Sequence, residues 1–327
     1  MRGGGGGLTP FIGAYGKLPR IGDFVSVRAK VEPAYGFQGW LARALDWADR
    51  RQLPGWPTVF DTRPPIAFVY RPRPRNGGIL VGAMWGSRDA VGRRHPFAVF
   101  TAVPDAEARA GAHLVPLATA AFVDQVSALQ STFESAASAA EVDAALAMLG
   151  PLVVDEPVAR GYEAWLHEVL ALDLWEALYR KRDAEGVEYA VQMIREALMP
   201  FQRMEDAATE LAVRLPLAAK PAFEAAFWSD LVQRLGGTVR ASPTMLFYTT
   251  PRVAGRGLYL ALGDPHPSTL AEGTIGAGDS DLVCDLTTPS RESSSHLPVL
   301  GSRLEGEIRR ENATLAQVLD ALGPSPS

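Results

Sequence analysis

Two apolar runs joined by a turn-forming stretch constrain the fold more than any other feature. Ile66-Ala67-Phe68-Val69-Tyr70 and Ile79 to Trp85 each have the length of a strand. Between them lies Arg71-Pro72-Arg73-Pro74-Arg75-Asn76-Gly77-Gly78, whose prolines and glycines suit a hairpin connection. A third run, Pro96 to Val103, ends at Pro104, and a fourth, Pro10 to Tyr15, is bounded by glycine. Strands are therefore expected at 11–15, 66–70, 79–85 and 97–102, in a sheet flanked by helices on both faces.

Helical periodicity fills most of the remainder. Phe37, Trp40, Leu41, Ala44, Leu45 and Trp47 recur at helical spacing over 33–50, with Pro33 in the first turn. From about 112 to 235 helices are expected at 114–132, 139–149, 161–181, 187–198, 203–213 and 219–235, the last stopped by Gly236-Gly237. Strand signals return at Thr244 to Thr250 and Gly257 to Leu262. Residues 264–298, rich in Gly, Pro, Ser and Asp, read as loops or a tail, and Thr314 with Gln317 has capping-box spacing ahead of a helix at 315–322. This order predicts an α/β or α+β fold, taken as α/β, with a leader at 1–8, an α/β domain at 9–135, a mostly helical region with a few short strands at 136–285 and a loop-rich tail at 286–327.

Composition and spacing exclude several chemistries. One cysteine, Cys284, excludes a disulfide framework and a thiolate-rich zinc site. A net charge of -5 argues against general nucleic-acid binding. No apolar run reaches the roughly 18 residues needed to cross a bilayer, so a cytoplasmic chain without membrane insertion is expected. Gly13-Ala14-Tyr15-Gly16-Lys17 looks like a phosphate loop. A Walker loop, however, needs a longer gap before its Gly-Lys pair and a Ser or Thr after it, where Leu18 stands. Gly276 to Asp281 lacks the alternating ligands of a calcium loop. The five histidines form no metal-binding pair, and no serine sits in a nucleophile elbow. No catalytic residues, metal or cofactor are expected.

Charge is unevenly placed. Between residues 50 and 94 the basic side chains are Arg50, Arg51, Arg63, Arg71, Arg73, Arg75, Arg88, Arg93 and Arg94, against Asp61 and Asp89 alone. Arginine forks suit carboxylate or phosphate pairing. The stretch Arg71, Arg73, Arg75, together with Arg93 and Arg94, is therefore a candidate docking surface for an acidic partner; solvated arginines at strand ends are the alternative.

Residues 13–25, Gly-Ala-Tyr-Gly-Lys-Leu-Pro-Arg-Ile-Gly-Asp-Phe-Val, resemble the opening motif of the TagF (ImpM) family, with every fixed position met. In Gly86 to Phe97 a second family motif is matched at Ser87, Asp89, Val91, Gly92, Arg93 and Pro96, while Gly86, His95 and Phe97 depart from it. A family Trp-Asp-x-Trp-Leu helix corresponds to Phe37-Gln38-Gly39-Trp40-Leu41, which keeps the second tryptophan. The resemblance is specific over about residues 11–103. It implies a three-layer α/β/α sandwich at the N-terminus. It also implies an accessory, post-translational regulator or repressor of bacterial type VI secretion that works with the forkhead-associated scaffold protein of the system.

Read physically, Gly13, Gly16 and Gly22 allow tight reversal and close backbone approach, and Pro19 stiffens the turn. Tyr15 sits within it. Lys17 pairs with Asp23 across the turn, or Asp23 caps the next segment. Asp89 with Arg93 and Arg94 completes a polar cluster beside the loop. The leading expectation is a non-enzymatic regulator that binds a protein partner. The alternative is a small-molecule or nucleotide binder, or an enzyme, using this Gly/Lys/Asp/Arg cluster, and that would need a pocket with converging polar groups. A structural component of the apparatus is a third class, without repeats or heptads to support it.

Overall fold

The protein is described by a computed structural model over residues 11–51, 53, 55–71, 78–104, 111–203, 210–236, 244–250, 257–275, 282–289 and 300–323. The expected hairpin is at its centre. β3 (Ile66–Tyr70) and β4 (Ile79–Trp85) pair antiparallel with Phe68 opposite Gly82, and every residue of both strands is buried. β5 (Phe97–Val103) pairs with β4, and β1 (Ile12–Gly16) with β5, placing Tyr15 opposite Ala98. β2 (Val25–Val27) forms the edge beyond β1. On the other side of β3 follow β7 (Thr244–Phe247), β8 (Leu258–Ala261), β6 (Ala212–Leu215) and β9 (Val283–Asp285). The nine strands form one sheet in the order β2-β1-β5-β4-β3-β7-β8-β6-β9, antiparallel except for β6 with β9. Strands from both sides of residue 135 thus share one sheet.

Near-continuous apolar strands require cover on both faces, because successive side chains point to opposite sides. Phe68, Tyr70, Leu80, Met84, Ala98 and Phe100 enter one core. Against it pack α1 (Glu32–Arg51), α2 (Trp56–Thr62) and α10 (Ser268–Ile275). Phe37 of α1 stacks on Phe68 with ring centroids 4.5 Å apart. Val69, Val81, Ala83, Trp85, Phe97 and Val99 enter the second core. It is covered by α3 (Val115–Ala128), α4 (Gln130–Ser135), α5 (Ala139–Leu146), α6 (Glu156–Glu168), α7 (Ala171–Tyr179), α8 (Glu185–Arg203), α9 (Pro221–Gly236), α11 (Ser302–Arg309) and α12 (Leu315–Ala321).

Several expected elements differ. The helix expected over 161–181 is two, α6 and α7. Val169 and Leu170 are extended and pair with the chain before α12, Ala171 N–H donating to Ala313 O and Leu315 N–H to Val169 O. The 114–132 helix likewise breaks at Leu129. Of the helix expected at 203–213, residues 204–209 lie outside the described residues, and the end is strand β6, because Ala212 to Leu215 fill a fully buried slot between β8 and β9. The 264–298 stretch holds α10 and β9 rather than loop alone. Leu270 and Ala271 are buried there, and the Thr274 hydroxyl donates to Leu270 O at 2.7 Å. At the C-terminus, Thr314 and Gln317 form the capping box that their spacing predicts.

Candidate functional site

The two motif segments meet at the Gly16/Trp85/Phe97 end of the sheet. Gly16 closes β1 at φ +139°, and a Cβ there would lie 2.0 Å from Pro96 O. A Cβ on Gly13 would lie 2.7 Å from Arg28 O. These two glycines let β1 press against β5 and against the chain leaving β2. Gly22 has nothing within 4 Å of such a Cβ.

Asp89 is the hub of the second segment. Its Oδ1 accepts from Val91 N–H at 3.1 Å and Arg93 N–H at 2.8 Å, an Asx-type turn that Gly92 completes at φ +89°. Its Oδ2 accepts from Lys17 Nζ at 3.0 Å and Arg93 Nε at 2.6 Å. The side chain is fully buried. Burial pushes its pKa upward, but the bonds from the Arg93 backbone, the Lys17 and Arg93 side chains and Val91 N–H outweigh it. The carboxyl is held well below the usual range.

The same contacts clamp the loops together. Arg93 Nη2 donates to Gly22 O at 2.9 Å, and Ala90 N–H donates to Ile21 O at 3.0 Å. Lys17 is only 6% exposed, with its ammonium 4.9 Å from the centre of the Phe24 ring. Its charge is therefore matched inside the fold by Asp89. Asp23, the other candidate partner, is exposed and accepts from Phe24 N–H at 2.7 Å. Pro19 is exposed in the same loop.

An aromatic cluster covers the pair. The Phe24 ring stacks on Tyr15 at 5.4 Å and meets His95 edge-on at 4.8 Å. His95 is buried and donates from Nδ1 to Pro96 O at 2.7 Å. Burial, helped by the Lys17 charge and opposed by the Pro96 bond, lowers its pKa to about 4, so the ring is neutral at pH 7. Burial raises the Tyr15 pKa. Ser87 is buried opposite His95, its carbonyl accepting from His95 N–H at 3.0 Å.

The sequence-derived residues divide into three groups. Gly13, Tyr15, Gly16, Lys17, Ser87, Asp89, Gly92 and Arg93 form or frame the clamp, and Pro19, Gly22 and Asp23 lie on its outer loop. Arg94 turns away from Asp89: its Nε reaches Asp61 on α2 at 3.3 Å, beside Arg88 on the same carboxylate. Trp40 lies in the core beneath α1, packed with Phe37 and Tyr70, so it supports the fold rather than joining the cluster.

Arg71 is buried at the far end of the β3–β4 hairpin, its N–H donating to Thr244 Oγ1 at 3.1 Å. Seven strand residues, about 23 Å at 3.3 Å each, separate that end from the clamp, so Arg71 forms no common surface with Arg93 and Arg94. Arg73 and Arg75 lie outside the described residues.

Sequence reasoning missed Phe24 and Val91 as surface features. Phe24 is 44% exposed and Val91 is 72% exposed. The available signal was an apolar residue held inside each polar, glycine-bearing motif. Among the described residues no group of three or more His, Cys, Asp or Glu could hold a metal ion, and no helix is long and apolar enough to cross a membrane.

Comparison with known proteins bears on the same segments. No curated protein matches the chain. A solved structure, that of PA0076 from Pseudomonas aeruginosa PAO1, aligns with a TM-score of 0.44 and 17% identity, covering 82% of this chain and 96% of that one. The family model of the TagF N-terminal domain, type VI secretion system-associated, matches residues 13–149, which hold both clamped loops. Residues 13–149 therefore carry a TagF N-terminal domain, a family described as type VI secretion system-associated.

Proposed function

We propose that this protein is a non-enzymatic regulator, a repressor, of type VI secretion that acts in the cytoplasm by binding a scaffold component such as the forkhead-associated protein of the system. One observation supports this reading most. Lys17 and Asp89 are buried against each other, with Arg93 on the same carboxylate, while the loops they clamp carry Phe24 and Val91 outward. A site that bound nucleotide through Lys17 would need that ammonium directed at a phosphate, and here a carboxylate holds it at 3.0 Å. Rigid loops with exposed apolar side chains suit recognition of a protein surface.

Two measurements test the proposal. The purified full chain is titrated with the forkhead-associated scaffold encoded in the same genome, and secretion is compared in cells with and without the protein. Saturable binding, with greater secretion in the deletion strain, is the expected result. Absence of binding at any attainable concentration, together with unchanged secretion, overturns it.

A further inference from the structure

The clamped loops form a platform with its own chemistry. Phe24 and Val91 stand on different loops, joined through Lys17, Asp89 and Arg93. The loop that carries Val91 also carries the exposed side chains of Arg88, Arg93 and Arg94. Two acidic groups anchor this set from within, each taking two cations: Asp89 holds Lys17 and Arg93, and Asp61 holds Arg88 and Arg94. Including Arg20 and Asp23 on the outer loop, five basic side chains face three acidic ones. The platform is thus net positive in a chain of net charge -5. The outer nitrogens of the arginines remain open to water, because Arg93 is 59% and Arg88 47% exposed.

We infer that this platform binds an acidic segment of a partner protein that also carries an apolar side chain. The apolar group seats against Phe24 and Val91, and its flanking carboxylates meet Arg93, Arg94 and Arg88. Charge complementarity selects this occupant: a basic segment would be repelled, and a neutral apolar one would leave the arginine rim without partners. The loops are already fixed by the hydrogen bonds to Gly22 O and Ile21 O, so little ordering is lost on binding. The inference rests on reading the protein as a binding regulator, and it names the chemistry of that partner.

The probe is a short dye-labelled peptide alternating glutamate with leucine around one tryptophan, followed by fluorescence anisotropy with the full chain. The expected result is saturable binding that weakens several-fold as salt rises from about 50 mM to about 500 mM. Phe24→Ser and Val91→Asp should each weaken it about tenfold, as loss of an interface anchor does, while Val91→Lys, which loses the apolar contact but adds positive charge, weakens it less. Val91 is exposed, so its variants report binding without disturbing the fold. Hydrogen exchange should show protection at residues 19–24 and 89–94. Failure of the acidic peptide to bind, or equal binding by wild type and Val91→Asp, overturns the inference. Equal loss in Val91→Asp and Val91→Lys also overturns it, as does binding to anionic vesicles in place of the peptide. The scaffold titration separates the two readings. Scaffold binding unaffected by Val91→Asp keeps the regulator and removes the platform, whereas peptide binding without scaffold binding keeps the platform and removes that partner.

Discussion

Replacing each glycine of the opening motif with alanine tests whether the clamp depends on close backbone approach. At Gly16 two costs combine. The φ of +139° is one that an L residue rarely adopts, costing roughly 1–3 kcal/mol. The new Cβ would also meet Pro96 O at 2.0 Å and Phe97 Cα at 2.7 Å. Both are backbone atoms of β5's beginning, so relief requires β1 and β5 to separate, and overpacking of this kind costs about 1–3 kcal/mol. Gly16→Ala should therefore destabilise the protein by on the order of 2–6 kcal/mol. At Gly13 only the steric cost applies, against Arg28 O at 2.7 Å on the chain leaving the edge strand, which gives about 1–3 kcal/mol. At Gly22 nothing lies within 4 Å, so alanine is neutral or stabilises by up to about 1 kcal/mol through the unfolded chain. Urea denaturation followed by circular dichroism gives all three values on one scale. The reasoning fails if Gly16→Ala stays within about 0.5 kcal/mol of wild type, or if Gly22→Ala costs as much as Gly16→Ala.

The remaining predictions concern His95, Lys17 and Phe37. The folded His95 pKa of about 4 lies below its ordinary 6.5, so the unfolded chain binds more protons between those values and stability falls as pH drops from about 6.5 to about 4. The loss should reach on the order of 3 kcal/mol, and urea midpoints measured across that range should show a shallower slope in His95→Gln. ATP and GTP should give no saturable heat on calorimetric titration, because Lys17 is buried on Asp89; low-micromolar binding abolished by Lys17→Ala would contradict this. Phe37→Ala should cost about 3–5 kcal/mol in the same urea assay, since Phe37 is fully buried and stacked on Phe68.

What the sequence made legible follows from how local each signal is. The runs at 66–70, 79–85 and 97–103 are strands because continuous apolar character at strand length has few other solutions between turn formers. The Thr314–Gln317 cap needs only four residues and was readable for that reason. β6 was not, because Ala212 to Leu215 become strand only when β8 and β9 bracket them from distant positions. The partner of Lys17 was equally non-local. Asp23 is near in the chain and Asp89 is not, and the choice is made by the β1–β5 pairing that brings Gly16 against Pro96. Asp61 draws Arg94 away from Asp89 because α2, a short helix that no expected element covered, carries it there.

Because Lys17 is buried on Asp89 while the arginines stay exposed, the platform should divide its binding energy in a way that kinetics can read. Arg93 and Arg94 on the rim act at long range and remain hydrated, so they should govern how fast an acidic partner arrives. Phe24 and Val91 act only in contact, so they should govern how long it stays. With the scaffold as partner, raising salt should lower the association rate and leave dissociation nearly unchanged. Phe24→Ser should raise the dissociation rate about tenfold while association changes by less than about threefold. Stopped-flow or surface-immobilised measurements resolve both rates. If salt acts only on dissociation, or Phe24→Ser acts only on association, the assignment of steering to the arginines and anchoring to the apolar pair is wrong. The charges would then be part of a desolvated contact, and truncating one would cost far more than a rim charge does.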